Sequence, residues 1–345
     1  MKRSIAPPLL TFLGTLAAAL VALELVFHTF LLAPDFKFED PELGPMNRPH
    51  VRVVWSQEGF GVHYTNALGF FGPELRAERP RFRVLVLGSS WAEALNVSPS
   101  DGFVAVAGSL VEGSEFVNAA QAGWSPVPAL VLLRRVYPEI RPDLVVLQVS
   151  GVNAIEAGSV HVERDGDAGW RIVPPRTRSD LELRLKNATD GISRHSAIVT
   201  MLLQRANQVL ADQSARLRAK FGGPTAPAPP STGESSDERQ EAFRWVLRQM
   251  LEVTDHILVL YVPVLSYGVE RCANTGERDA AGVRRVANEL VLEMIDPTEA
   301  LCAEYLRTKQ PLHGFHNAVM GEGHLNVAGH RIVGELLARS VEAAR

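Results

Sequence analysis

The chain has 345 residues, 46% hydrophobic and 21% charged, with a formal net charge of −4. That balance excludes a chain disordered throughout. The length suits one domain of about 250 residues plus additions, with ample apolar material for a large core. Mild acidity gives no electrostatic footprint for nucleic acid. Cys272 and Cys302 are too few for a disulfide scaffold and lack Cys-x-x-Cys metal spacing. They are free thiols or one bridge, depending on the compartment.

The first element is a membrane segment. Met1-Lys2-Arg3 is basic, and Leu9 to Leu32 then runs LLTFLGTLAAALVALELVFHTFLL. As a helix this stretch measures roughly 36 Å, enough to span a bilayer. Asp35, Glu39, Asp40 and Glu42 follow, with Lys37 as the only balancing cation. The charge bias therefore leaves the N-terminus cytoplasmic and the remainder across the membrane, periplasmic or extracellular. A cleaved signal peptide is the rival reading, with Ala17-Ala18-Ala19 as its small-residue site. Cutting there would leave LVALELVFHTFLL as an exposed apolar start, so residues 1–33 are read as a cytoplasmic tip and uncleaved anchor. Glu24 and His28 sit badly in such a span, because a charge at mid-bilayer costs about 2.5–3.5 kcal/mol. Either Glu24 lies toward the outer half or is protonated, or it meets a partner helix.

Residues 34–80 are rich in Pro, Gly and aromatics without a sustained helical period, and include the strand-like Val51-Arg52-Val53-Val54-Trp55. They read as a juxtamembrane extension that packs on the main domain. The main domain, 81–345, opens with Arg83-Val84-Leu85-Val86-Leu87-Gly88, a continuous β-branched and leucine run suited to a buried parallel strand. A short strand is expected at Glu115–Asn118, and longer ones at Leu144–Val149 and Ile257–Val262. Helical patterns lie at Val127–Tyr137, Phe243–Val253, Asp279–Leu292 and His330–Ala344. Strands alternating with helices imply a parallel sheet covered on both faces. Residues 221–238, FGGPTAPAPPSTGESSDE, cannot bury enough apolar surface to order themselves and read as a disordered insertion.

In open parallel sheets, ligands bind beyond the carboxyl ends of the strands. Those positions hold Gly88-Ser89-Ser90-Trp91, then Asn118 to Ser125 with Gly123, then Ser150-Gly151-Val152-Asn153. Glu322-Gly323-His324-Leu325-Asn326 precedes the last helix. A hydroxyl, a flexible backbone donor, a side-chain amide and an imidazole are what acyl transfer through serine requires. The base takes the serine proton and works best when a carboxylate holds its tautomer. Taken singly each residue has a plainer use: Ser90 as a helix N-cap, Gly123 as a turn glycine, Asn153 as a turn former, Glu322 as a solvated charge. Trp91 and Trp124 are candidates for the pocket wall or for packing.

These blocks resemble the SGNH, or GDSL-type, hydrolase superfamily in its membrane-anchored bacterial form. Gly88-Ser89-Ser90 matches the block with the nucleophile, Gly123 in NAAQAGWS the second, Gly151-Val152-Asn153 the third, and His324 in GHLNVAGH the last. Asn66-Ala67-Leu68-Gly69-Phe70 resembles the lead-in of the anchored subgroup. The resemblance implies an α/β fold, a flavodoxin-like three-layer α/β/α sandwich with a parallel sheet, preceded here by the transmembrane helix. It implies Ser90 as nucleophile and His324 as base, with Ser90, Gly123 and Asn153 forming the oxyanion hole. It implies ester hydrolysis or acyl transfer, with O-acetyl groups of envelope carbohydrate as a substrate class and no metal or organic cofactor. Ser89 and Ala154 replace two family aspartates, and Gly321 stands where the family acid would be. Glu322 is then the available carboxylate for a Ser-His-Glu triad, failing which the enzyme is a Ser-His dyad or degenerate.

Two other readings stay open. His313, His316, His324 and His330 form a histidine-rich stretch, though their spacing fits no standard helical ligand pattern. An SGNH-shaped domain could also bind glycan or a membrane partner without catalysis, since fold does not imply function. The partners expected are an acyl-ester substrate and the membrane, not nucleic acid. No Gly-x-x-x-x-Gly-Lys loop or Gly-x-Gly-x-x-Gly fingerprint suggests a nucleotide.

Overall fold

The computed structural model describes residues 6–30, 36–152, 160–166, 169–175, 196–199, 202 and 236–345. The chain divides into two units, residues 1–36 with 178–232, and residues 37–177 with 233–345.

In the first unit, Ala6–Phe30 forms helix α1. Its stretch Pro8–Thr29 has a mean hydropathy of 2.2, with none of it buried, and is long and apolar enough to cross a membrane. Within this unit the Glu24 carboxylate accepts hydrogen bonds from the Ser196 hydroxyl at 3.0 Å, from Ile198 N–H at 3.2 Å and from Ala197 N–H. Residues 197–199 are helical. The acid in the apolar helix thus meets the unsatisfied N–H groups that open another helical stretch of the same chain.

The second unit is built on five parallel strands. They are β5 (Phe82–Leu87), β6 (Ser114–Asn118), β7 (Leu144–Val149), β10 (Ile257–Tyr261) and β13 (Glu293–Ile295). Their spatial order is β13-β10-β7-β5-β6. Counted by first appearance along the chain, that is 2-1-3-4-5 from the β6 edge, the flavodoxin-like order, whose ligand crevice opens where β5 and β7 send their connections to opposite sides. The continuous apolar runs read as strands for the expected reason: every residue of β7 and of β10 is buried.

Alternation along the strands makes two cores. Leu85, Leu87, Val145, Leu147, Val259 and Tyr261 face helices α4 (Pro126–Ile140), α5 (Ser236–Leu251) and α6 (Glu277–Glu289). Val84, Val86, Val146, Leu258 and Leu260 face α3 (Phe103–Leu110), α7 (Thr298–Thr308) and α8 (Val327–Ala344). The result is a three-layer α/β/α sandwich.

Residues 37–64 form two antiparallel hairpins, β1 (Lys37–Asp40) with β2 (Gly44–Asn47), and β3 (Arg52–Trp55) with β4 (Gly61–Tyr64). Leu43 and Met46 are buried in the first core, and Asp40 pairs with Arg135 of α4 at 2.7 Å. The Asn66 side chain accepts Leu68 N–H and Phe70 N–H, both at 3.0 Å, folding Asn-Ala-Leu-Gly-Phe into a tight turn that sends Phe70 into the same core.

Several elements differ from the sequence reading. The helix expected to reach Leu292 ends at Glu289, because Leu290 caps it and Val291 turns to φ +57°, freeing Glu293–Ile295 for the sheet edge. Helices α3 and α7 and the hairpins β8 (His161–Arg164) with β9 (Trp170–Val173) and β11 (Leu265–Gly268) with β12 (Arg271–Asn274) were not anticipated. Of the expected disordered insertion, Ser236–Glu238 already belong to α5, and 221–235 lie outside the described residues. Cys272 on β12 and Cys302 on α7 form a disulfide, which closes that alternative in favour of a bridge.

Candidate active site

β5 delivers the chain to the switch point, and after Gly88 it turns directly into the four-residue helix α2 (Ser90–Glu93). Ser89, not Ser90, is the N-cap, and no side chain makes a capping bond there. Gln148, on neighbouring β7, uses its Oε1 to accept both Ser89 N–H at 2.9 Å and Ser89 Oγ–H at 3.0 Å. Ser89 therefore ties the turn to the sheet, and Ser90 is left with its hydroxyl unclaimed by the cap.

That hydroxyl lies 2.8 Å from Nε2 of His324. The opposite ring nitrogen, Nδ1, lies 2.6 Å from Oε2 of Glu58, whose Oε1 also accepts the His324 backbone N–H at 2.6 Å. A carboxylate at Nδ1 places the ring proton there, so Nε2 is free to accept from Ser90. The three side chains stand in the order hydroxyl, imidazole, carboxylate, in a partly shielded setting where Glu58 is 19% exposed and His324 28%.

Glu322 does not hold this place. It is exposed in the turn just before His324, its N–H reaching Val319 O at 3.4 Å, while Glu58 fills the position at Nδ1. Gly323 explains how: at φ +76° it has no side chain, and a Cβ there would come within 2.2 Å of Glu58 Oε1. The acid at Nδ1 comes from the β3–β4 loop.

That loop is clasped by the His324 strap. Asn317 Nδ2 donates to Ser56 O at 3.1 Å and to Gly59 O at 2.9 Å, and Asn317 Oδ1 accepts Gly59 N–H at 2.9 Å. Asn96 ties both sides: its carbonyl accepts Phe60 N–H at 3.2 Å and its amide donates to Leu325 O at 2.9 Å. Trp91 stands against the base, with ring centroids 5.0 Å apart. Trp124 is instead buried in the first core.

Between Asn118 and α4, the glycine-bearing loop is held by its backbone. Ala119 N–H goes to Val86 O, Ala120 N–H to Asn118 Oδ1, Gln121 N–H to Gly88 O and Trp124 N–H to Gln121 O. Ala122 N–H goes to Glu93 Oε2 at 3.1 Å. Gly123, at φ +80°, is the one residue of 119–124 whose N–H has no acceptor among the described residues. A left-handed glycine is what lets a single N–H turn away from a run otherwise tied inward. Asn153 lies outside the described residues.

The histidines do not converge. His313 Nε2 donates to Pro263 O at 3.1 Å and its Nδ1 takes the Tyr267 hydroxyl, while His330 Nδ1 accepts Phe103 N–H at 3.3 Å. Among the described residues no three His, Cys, Asp or Glu side chains form a group that could hold a metal. Burial pushes His313 down to about 4 and His330 to about 3, so both are neutral near pH 7. Burial pushes the Glu93 carboxyl up.

No family model matches the chain, and no curated protein matches it. Solved structures do align with it. One is TesA, at 15% identity over 76% of this chain and 99% of that one, with a TM-score of 0.41. Another is the acetyl xylan esterase AlAXEase, at 14% identity over 75% and 100% and a TM-score of 0.44. A third is a lipase/acylhydrolase from Enterococcus faecalis, at 15% over 76% and 96% and 0.40. Likeness at this level says nothing of what the chain acts on.

Proposed function

We propose that the protein is a membrane-anchored serine esterase or acyltransferase of SGNH type, acting on acyl esters outside the cytoplasm. The observation that carries this reading is the continuous relay from Ser90 through His324 to Glu58 at 2.8 and 2.6 Å. Ser90 Oγ attacks the acyl carbonyl while Nε2 takes its proton, and Glu58 stabilises the imidazolium that forms. The open Gly123 N–H and the Ser90 N–H at the start of α2 receive the oxyanion, with Asn153 as the third donor. His324 then returns the proton to the leaving alkoxide, and water or an acceptor hydroxyl, deprotonated by the same nitrogen, releases the acyl group.

Trp91 stands beside the imidazole, its ring centroid 5.0 Å from that of His324. O-acetyl esters of envelope carbohydrate are the substrate class put forward. The N-terminal helix supports an anchor, and its charge bias and the Cys272–Cys302 bridge support an oxidising, extracytoplasmic side. The complete relay favours catalysis over a degenerate glycan-binding domain.

The test is fluorophosphonate labelling together with hydrolysis of an aryl acetate. Wild type is expected to form an adduct that Ser90→Ala lacks, with turnover falling by roughly 10⁴-fold or more in the variant. A wild type with neither a Ser90-dependent adduct nor turnover would overturn the reading.

A further inference from the structure

Glu93 is a carboxylic acid 3% exposed, three residues beyond the nucleophile on the same short helix. Burying such a group is costly unless its hydrogen bonds are met. Here the bonds are few and directed: Oε2 accepts Ala122 N–H at 3.1 Å and Oε1 accepts Asn47 Nδ2 at 3.2 Å. The Lys37 ammonium and the titratable ring of His324 are the groups whose fields reach it. The side chain thus joins three segments, α2 with Ser90, the glycine-bearing loop, and β2 of the extension.

We infer that Glu93 is a positioning residue for the oxyanion donor: by holding the Ala122 N–H it fixes the residue before Gly123, and with it the direction in which the Gly123 N–H points. The inference rests on the hydrolase reading above. It differs from a plain packing role in what it demands of position 93. A hydrogen-bond acceptor facing Ala122 is needed, whereas a negative charge is not. Glutamine meets that demand, because its amide oxygen accepts from Ala122 and its amide nitrogen donates to Asn47 Oδ1, which is buried without a partner, once the Asn47 amide rotates. Methionine fills a similar volume and accepts far more weakly.

The test compares Glu93→Gln and Glu93→Met in the full chain in detergent. It measures kcat and KM for 4-nitrophenyl acetate, inhibition by phenylboronic acid as a tetrahedral adduct, and amide exchange over 119–124. Glu93→Met is expected to lower kcat about 10²-fold with KM within about threefold of wild type. It should weaken the boronate by a comparable factor and speed exchange at 122, while Glu93→Gln stays near wild type in every readout. A methionine variant with wild-type kcat, or a glutamine variant as impaired as methionine, would overturn the inference. Failure of the underlying reading looks different: wild type then shows no Ser90-dependent turnover, which removes the catalytic role of Glu93 too. Faster exchange in Glu93→Met would still register the hydrogen bond itself.

Discussion

Ser90 and Glu58 belong to one relay but are placed by different physics. Ser90 stands at the end of β5, where Val84 to Leu87 are wholly buried between two helical layers, so apolar burial sets its position. Glu58 stands in a loop between two four-residue strands, where the side-chain amide of Asn317 and the backbone carbonyl of Asn96 do the holding. A core-placed residue tolerates change at its surface. A clasp-placed one depends on a handful of hydrogen bonds, each worth about 1 kcal/mol net.

The largest effect is expected at the carboxylates themselves. Glu58→Gln should lower kcat by roughly 10²- to 10⁴-fold, since an amide at Nδ1 no longer stabilises the imidazolium. Glu322→Gln should leave kcat unchanged. Parallel steady-state assays decide, and the opposite pattern would return the orienting role to Glu322.

A smaller effect is expected from the clasp. Asn317→Ala removes three hydrogen bonds to the Glu58 loop while leaving the relay residues in place. A loss of about tenfold in kcat is expected from the looser geometry, with KM little changed. An unchanged kcat would mean that the loop holds its shape without Asn317.

The smallest effect concerns the core around the site rather than the relay. His313 and His330 have folded-state values lowered to about 4 and about 3 from an ordinary 6.5. A lowered histidine adds stability that is full above about pH 6.5 and is lost as pH falls toward the folded value, because the unfolded chain takes up the proton first. Stability to thermal unfolding should therefore fall between pH 6.5 and 4, and His330→Met should flatten that decline by on the order of 2–3 kcal/mol. A variant with the wild-type pH slope would show that His330 is not the group responsible.

Much of this molecule was legible along the chain. The buried parallel strands announce themselves as unbroken apolar runs, and the order of Gly88-Ser89-Ser90, Gly123 and His324 marks the carboxyl ends where a site must lie. The apolar helix needed only its length and composition. What stayed hidden were contacts without a local period. Glu58 is 266 positions from the histidine it bonds, within a Ser-Gln-Glu-Gly stretch that reads as an ordinary loop. Glu93 shares a short helix with Ser90, yet its partners lie 29 and 46 residues away. Strand and helix follow from periodic burial, which sequence records. A carboxylate finds its partner only when the fold brings two distant segments within hydrogen-bond reach, so the tertiary structure alone decided which acid completes the relay.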